Sequence, residues 1–189
     1  MERVVITGMG VVSPLGHSVE SFWNRLIRGE SGISHIDTFD VSRFKAKIAG
    51  IVHDFDAESL LGRKEARRMD RYCQFAMAAA EQALQDAGLS LEQVDHERMG
   101  VYVGSGVGGI QTLFEQEAVF RERGPERVSP TLVPMMISNM AAALISMKLG
   151  ALGPSMSPVT ACSIGNTAIG EAFRLIRAGG ADIVFAGGA

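Results

Sequence analysis

Three short apolar runs, each with glycine at or next to its end, are spaced along the chain. They are RVVITGMG at residues 3–10, RMGVYVGSGVGG at residues 98–109 and ADIVFAGGA at residues 181–189. None alternates regularly between apolar and polar positions, and strands that are covered on both faces typically show such unalternating patterns. The three runs therefore predict three buried strands.

Helix-like segments lie between these runs. The predicted helices are Val19–Arg28, Arg63–Ala87, Ile110–Arg121, Pro134–Leu149 and Ser163–Ala178. Gly88, Gly150 and Gly179 follow three of them and are suitable stop signals. Asp37–Leu61 and Arg123–Val133 are expected to be irregular connections. Because strands and helices alternate, the predicted fold class is α/β.

Length, charge and cysteine content narrow the class of protein. The chain has 189 residues, of which 47% are hydrophobic, and one domain with a substantial core is expected. A net charge of −3 gives no reason to expect nucleic-acid binding. Two cysteines are too few for a disulfide scaffold, so a cytoplasmic location is expected. The most apolar helix candidate, Pro134–Leu149, contains polar residues and is too short to span a membrane, so no membrane insertion is expected.

The two cysteines differ in their surroundings. Cys162 stands where a short apolar run becomes a helix, and the positive end of that helix would favour a thiolate, the attacking species in acyl transfer. We expect it in a strained turn that faces a pocket. The alternative is that Cys162 is a small buried hydrophobe, as most free cysteines are. Cys73 lies on the apolar face of a predicted helix and is expected to be a core residue.

Several motifs, in the same order, resemble one known family. They are RVVITGMGVVSPLG, RKEARRMDRY, VGSGVGG, VSPTLVPMMISNMAAALISMKLGALGPS and VTACSIGNTAIGEAFRLIRAGGADIVFAGGA. The chain is similar throughout to the β-ketoacyl-acyl-carrier-protein synthases, and most similar to the type II elongating condensing enzymes of fatty-acid synthesis. The resemblance implies a thiolase-like fold, a five-layer α-β-α-β-α sandwich of two similar halves. Residues 1–189 would be the N-terminal half, an incomplete ketoacyl-synthase domain whose C-terminal half is absent.

The resemblance also implies a chemistry. Cys162 would take an acyl chain from acyl carrier protein as a thioester. Malonyl carrier protein would then lose carbon dioxide, and the resulting carbanion would attack the thioester carbonyl and release the Cys162 thiolate. The substrates carry phosphopantetheine, so no separate cofactor and no metal is expected. The family's two catalytic histidines lie in the second half, and the four histidines of this chain do not match their motifs. The family is homodimeric and pairs its subunits through the strand before the nucleophile, here about Met156–Ala161.

Two further sites follow from the resemblance. Val107 matches the position that lines and gates the acyl pocket, although GSGVGG by itself could be a glycine-rich turn. Lys64, Arg67 and Arg68 match the positions that dock the acidic carrier protein. Cations at the start of one long helix oppose its dipole, so stability alone does not explain them, but a solvated charged face is the usual alternative.

Other functions remain open on the sequence. A polyketide ketosynthase would share the Cys162 turn, and a non-catalytic chain-length-factor partner would share the fold but usually lacks the cysteine. A thiol-dependent hydrolase would need a histidine close to Cys162, and a redox protein would need a resolving cysteine. The chain has no CxxC motif.

Overall fold

A computed structural model describes residues 3–189. Eight α-helices are present among these residues: α1 (Val19–Ile27), α2 (Ala57–Leu61), α3 (Arg63–Ala66), α4 (Arg71–Asp86), α5 (Ile110–Arg123), α6 (Leu132–Met136), α7 (Met140–Leu149) and α8 (Ile164–Arg177). Five strands accompany them: β1 (Ile33–His35), β2 (Ile48–Gly50), β3 (Met99–Gly104), β4 (Ser155–Met156) and β5 (Ile183–Gly188). The mixture of helices and strands confirms the predicted α/β class.

The main sheet is parallel and has the order β4-β3-β5, with β3 in the centre. Residues Met99 to Gly104 of β3 pair in register with Ile183 to Gly188 of β5. On its other side, β3 pairs with β4 through Val101 and Tyr102. The apolar runs at 98–109 and 181–189 therefore form the predicted strands. A separate antiparallel pair, β1 and β2, lies in a part of the sequence for which no strand was predicted.

Helices cover both faces of this sheet. Met99, Val101 and Val103 are buried with α4 and α7 in one core cluster. Alternate residues of a strand point to opposite faces, and a Cβ atom at Gly104 would lie 2.6 Å from Ile164 Cδ1 of α8. Helix α8 thus packs on the face opposite α4 and α7. A Cβ atom at Gly188 would also lie 2.7 Å from Ile164, so glycines in β3 and β5 let the start of α8 approach the sheet closely.

The first apolar run, at residues 3–10, does not form the predicted strand. It lies along α4 instead, where the amide of Met9 donates to Asp86 and the amide of Val11 donates to Gln82. A Cβ atom at Gly10 would lie 1.9 Å from the carbonyl oxygen of Ala79, so glycine allows direct backbone contact with the helix. Side chains of α4 take the hydrogen bonds that a neighbouring strand would provide, and the expectation of a strand is wrong here.

Two long predicted helices are each divided in two. The predicted helix Arg63–Ala87 is interrupted after α3, and Gln74 donates to the carbonyl oxygens of Ala66 and Met69 at the interruption. The second predicted helix, Pro134–Leu149, breaks between α6 and α7, where Ile137 is extended. Helix α2 forms within a segment predicted to be irregular, because Asp56 caps it by accepting from the amide of Ser59. Among the described residues, no helix combines the length and apolarity needed to cross a bilayer.

Candidate functional site

Cys162 lies in a tight turn directly before α8. The turn is the short 3₁₀ segment Ala161–Ser163, and it follows β4 after four residues that belong to no helix or strand. Ala161 has a φ of +50°, in the left-handed region that costs a residue with a Cβ atom about 1–2 kcal/mol. The hydroxyls of Thr160 and Thr167 are hydrogen-bonded at 2.8 Å across this turn. A strained backbone immediately before a cysteine at a helix start is a mark of a functional site.

The side chain of Cys162 is exposed, which corrects the expectation that it faces a pocket. The described residues form one groove of about 510 Å³ near His17 and another of about 620 Å³ near Lys64. Neither is lined by Cys162. Its neighbours in the turn, Ala161 and Ser163, are exposed as well. The turn therefore presents Cys162 at the surface formed by residues 3–189.

The Val107 turn, which we define as residues 105–109, abuts the cysteine turn. A Cβ atom at Gly106 would be 3.9 Å from the carbonyl oxygen of Ala161. Both turns follow the carboxyl ends of neighbouring parallel strands, the edge at which open α/β sheets bind ligands. The Ser105 hydroxyl accepts from the amide of Gly108 at 3.0 Å and closes the turn, while Val107 remains 69% exposed at its tip. The fold thus brings Val107 and Cys162 to one side of the sheet.

The cationic groove, which we define as Arg63, Lys64, Arg67 and Arg68, lies on and after α3. Glu58 pairs with Arg67 at 3.2 Å and with Arg63 at 3.6 Å. Within residues 3–189, Lys64 and Arg68 form no ion pair within 4 Å. These two cations are therefore free for an external acidic group.

Arg71 does not belong to this groove, contrary to the expectation of one continuous cationic helix. Its guanidinium lies 5.2 Å from the ring centre of Phe55 and 4.9 Å from that of Phe75. It also donates to the carbonyl oxygens of Phe55 and Val52. The break between α3 and α4 turns Arg71 inward, away from the cationic groove.

Cys73 contrasts with Cys162. Its side chain is fully buried in the core cluster, which confirms the prediction for this residue. Burial raises the pKa of the Cys73 thiol to about 11. A thiol held in this form is a poor nucleophile near neutral pH.

Two of the four histidines, His17 and His96, have structural contacts away from Cys162. His17 packs edge-on against Phe55, with ring centres 5.7 Å apart. The ring nitrogens of His96 lie 2.9 Å from the carbonyl oxygen of Gly150 and 3.0 Å from that of Leu91. No hydrogen bond within residues 3–189 joins a histidine to Cys162. In the same range, no three histidine, cysteine or acidic side chains are grouped to hold a metal ion.

The sequence reasoning missed a buried polar network next to the Val107 turn. The carboxylate of Asp70 accepts from the hydroxyl of Thr112 at 2.6 Å and from its amide at 2.9 Å. Both residues are buried, as is Ser105. An aspartate directly before an apolar helical run is a capping signal, and this signal could have marked Asp70 as the start of a new helix. Nothing local could have identified Thr112 as its partner.

Comparison with known proteins assigns the chain to a family. The family profile of the β-ketoacyl synthase N-terminal domain matches residues 1–189. The chain belongs to the β-ketoacyl synthase family. This confirms the resemblance drawn from the motifs.

Individual members of the family match along the whole chain. The 3-oxoacyl-[acyl-carrier-protein] synthase 2 of Synechocystis sp. is 44% identical over 99% of this chain and 45% of its own length. A β-ketoacyl synthase structure from Burkholderia phymatum is 30% identical, with a TM-score of 0.82, over 96% of this chain and 45% of its own. The ishigamide ketosynthase/chain length factor is 33% identical, with a TM-score of 0.84, over 98% and 46%. The chain thus spans about half the length of the synthases that it matches.

Proposed function

We propose that this β-ketoacyl synthase chain is the nucleophile-bearing part of a 3-oxoacyl-[acyl-carrier-protein] synthase, and that Cys162 is the acyl acceptor. The observation that carries the proposal is the exposed cysteine, in a strained turn at the start of α8. The relative named synthase 2 in Synechocystis matches along 99% of the chain, including this turn. The family implies that the acyl donor is a carrier-protein thioester.

The first half-reaction needs only groups near Cys162. The Cys162 sulfur, as thiolate, attacks the thioester carbonyl of the acyl-carrier protein, a new C–S bond forms, and the pantetheine thiolate leaves. In this proposal, backbone N–H groups at the start of α8, which begins two residues after Cys162, stabilise negative charge on the tetrahedral oxygen. The left-handed Ala161 turns the backbone so that the sulfur is presented outward, where a large donor can reach it.

The second half-reaction needs groups that residues 3–189 do not bring to Cys162. Decarboxylation of a malonyl thioester requires donors for the developing enolate, and loss of one such donor typically costs about 10²–10³ in rate. We infer that histidines from a second half of the fold supply them, so residues 1–189 form one N-terminal ketoacyl-synthase domain. On this basis the chain by itself accepts an acyl group but does not release carbon dioxide from malonyl carrier protein.

Acyl transfer to the isolated chain tests the proposal. The chain is incubated with an acyl-carrier protein, and intact mass spectrometry followed by peptide mapping locates the added acyl mass. We expect one acyl group on Cys162, no transfer to Cys162→Ala, and unchanged transfer to the matched variant Cys73→Ala. Free acid without an acyl-enzyme would indicate a hydrolase, and no transfer at all would overturn the proposal.

We propose that the cationic groove docks the acidic carrier protein. Lys64 and Arg68 have no ion-pair partner within residues 3–189, and exposed charges of this kind steer an oppositely charged partner. Reversal of Lys64, Arg67 and Arg68 to glutamate should weaken acyl transfer from carrier protein, most at low salt, and leave a small acyl-pantetheine donor unaffected. A matched control reverses Arg43, Lys45 and Lys47, which are exposed elsewhere. Equal loss with both donors would contradict docking.

We also propose a homodimer in the cytoplasm. Strand β4 is an edge strand of only two residues, Ser155–Met156, and within residues 3–189 no strand pairs with its outer side. Val159, just beyond it, is 64% exposed. Open edges of this kind are commonly closed by a second chain. Sedimentation at micromolar concentration should show a dimer that Val159→Asp dissociates, and a monomer throughout would contradict the proposal.

A polyketide ketosynthase is the second candidate, because the ishigamide ketosynthase/chain length factor matches 98% of the chain. The Val107 turn bears on the choice, since we propose that Val107 limits the acyl group that reaches Cys162. Transfer rates from a series of acyl-carrier proteins, measured for the chain and for Val107→Ala, would show whether saturated fatty acyl groups are preferred. A preference for polyketide intermediates would favour the second candidate.

A further inference from the structure

Asp70 occupies an unusual position between the cationic groove and the Val107 turn. It follows Arg68 by two residues and is 6% exposed. Although it directly precedes α4, its carboxylate makes no capping hydrogen bond to that helix. The carboxylate instead reaches the start of a different helix, α5, where Oδ2 accepts from the amide and the hydroxyl of Thr112. This contact joins residues that are 42 positions apart in the sequence.

The contact holds the Val107 turn from one side. Gly109, the last residue of the turn, precedes α5 and has no side chain that could cap it. The carboxylate of Asp70, which lies on a distant segment, caps α5 instead by accepting from the amide of Thr112. A Cβ atom at Gly109 would lie only 2.9 Å from Asp70 Oδ2. On the other side, the amide of Gly109 donates to the carbonyl oxygen of Met136 at 2.8 Å. The turn is therefore clamped between the segment that carries the cationic groove and α6.

We propose that Asp70 is a positioning residue that couples occupation of the cationic groove to the order of the Val107 turn. An acidic partner that binds Lys64 and Arg68 restrains the short segment leading to Asp70. The buried carboxylate passes this restraint to Thr112, because a charged hydrogen bond in a buried setting tolerates little displacement. Binding that rigidifies one element in this way lowers the cost of ordering the element bonded to it. The inference rests on the proposed docking of a carrier protein and adds a consequence of that docking.

Amide hydrogen exchange of the chain tests the coupling. Exchange at Gly108 and Thr112 is measured by NMR with and without acyl carrier protein, and carrier binding is measured separately by titration. In the unmodified chain, we expect the carrier to slow exchange at these amides by about tenfold, the scale of one hydrogen bond to a charged group. In the variants Asp70→Asn and Thr112→Val, the carrier should bind with unchanged affinity. In both variants, carrier binding should not alter amide exchange at positions 108 and 112. Thr112→Ser should restore the response.

Controls separate coupling from a folding defect. Asp40→Asn is a matched variant, because Asp40 also accepts from an amide and a hydroxyl, those of Ser42, outside this region. It should keep the full response. If Asp70→Asn unfolds, Thr112→Val removes the hydroxyl contact while preserving side-chain shape. Two outcomes overturn the coupling but not the docking. In one, the carrier binds the unmodified chain without changing amide exchange. In the other, the carrier still slows exchange in both Asp70→Asn and Thr112→Val. Absence of carrier binding overturns the proposed docking and the coupling together.

Discussion

The two cysteines should react with iodoacetamide at very different rates, and the structure sets the scale of the difference. Cys73 has no exposed surface, and its pKa is raised to about 11. At pH 8, three units below that value, only about one thiol in 10³ is the reactive thiolate. An unfolded cysteine with a pKa of about 8.5 is ionised to roughly a quarter. Ionisation alone thus slows Cys73 by a factor of roughly two hundred on folding, and exclusion of the reagent from the core slows it further.

The assay follows the mass of the chain during treatment with iodoacetamide at pH 8. We expect one added group at the exposed Cys162, with Cys73 labelled only in denaturant. Cys162→Ala should take no label under native conditions, and Cys73→Ala should take one at the rate of the unmodified chain. If the first iodoacetamide group added to each chain were found on Cys73, the assignment of Cys73 to a closed core would be refuted. Such labelling would require a core that opens far more often than this packing allows. A fully protected Cys162 would show that the turn is not at the surface.

Three further predictions concern stability. Ile145 is 1% exposed in the core cluster, so Ile145→Ala should lower the free energy of unfolding by about 2–5 kcal/mol in urea titration, and a loss below 1 kcal/mol would contradict its packing. Ala161→Gly relieves the left-handed strain, so the free energy of unfolding should stay unchanged or rise by up to about 1 kcal/mol. The same substitution should slow acyl transfer to Cys162. A clear decrease in the free energy of unfolding would refute strain at this residue. Arg98 lowers the pKa of Asp182 from its ordinary 3.8, so the charged pair stabilises the fold only while Asp182 is ionised. The unmodified chain should therefore have a higher Tm than Asp182→Asn at pH 5, and this difference should disappear as the pH falls below 3.8. A difference in Tm that persists at pH 2 would exclude the ion pair as its source.

Local sequence patterns predicted the elements whose signals lie within one segment. Helices α1, α5 and α8 agree with their predicted ranges to within a few residues, and β3 and β5 form where the glycine-ended runs predicted strands. The position of Cys162 at a helix start could also be read locally, because the small residues after it begin the apolar face of α8. The motif order was specific enough to identify the family.

The sequence failed where distant residues supply hydrogen bonds. The run at residues 3–10 has the composition of a strand, but the amides of Met9 and of Val11 just after the run donate to side chains of α4. At the helix break after α3, the side chain of Gln74 donates to two carbonyl oxygens of the preceding turn, and the local pattern does not record this contact. A periodic pattern records which positions prefer burial, and it does not record which partner buries them.

The sequence by itself determined the α/β class, the family, a cysteine at the start of a helix and a group of cations before α4. Only the tertiary structure decided that Cys162 is exposed, that Arg71 turns inward against the rings of Phe55 and Phe75, and that Asp70 bonds to Thr112 beside the Val107 turn. The physical reason is the range of the interactions. Helix periodicity and capping act over a few residues, whereas burial and long-range hydrogen bonds depend on where the chain brings remote segments together.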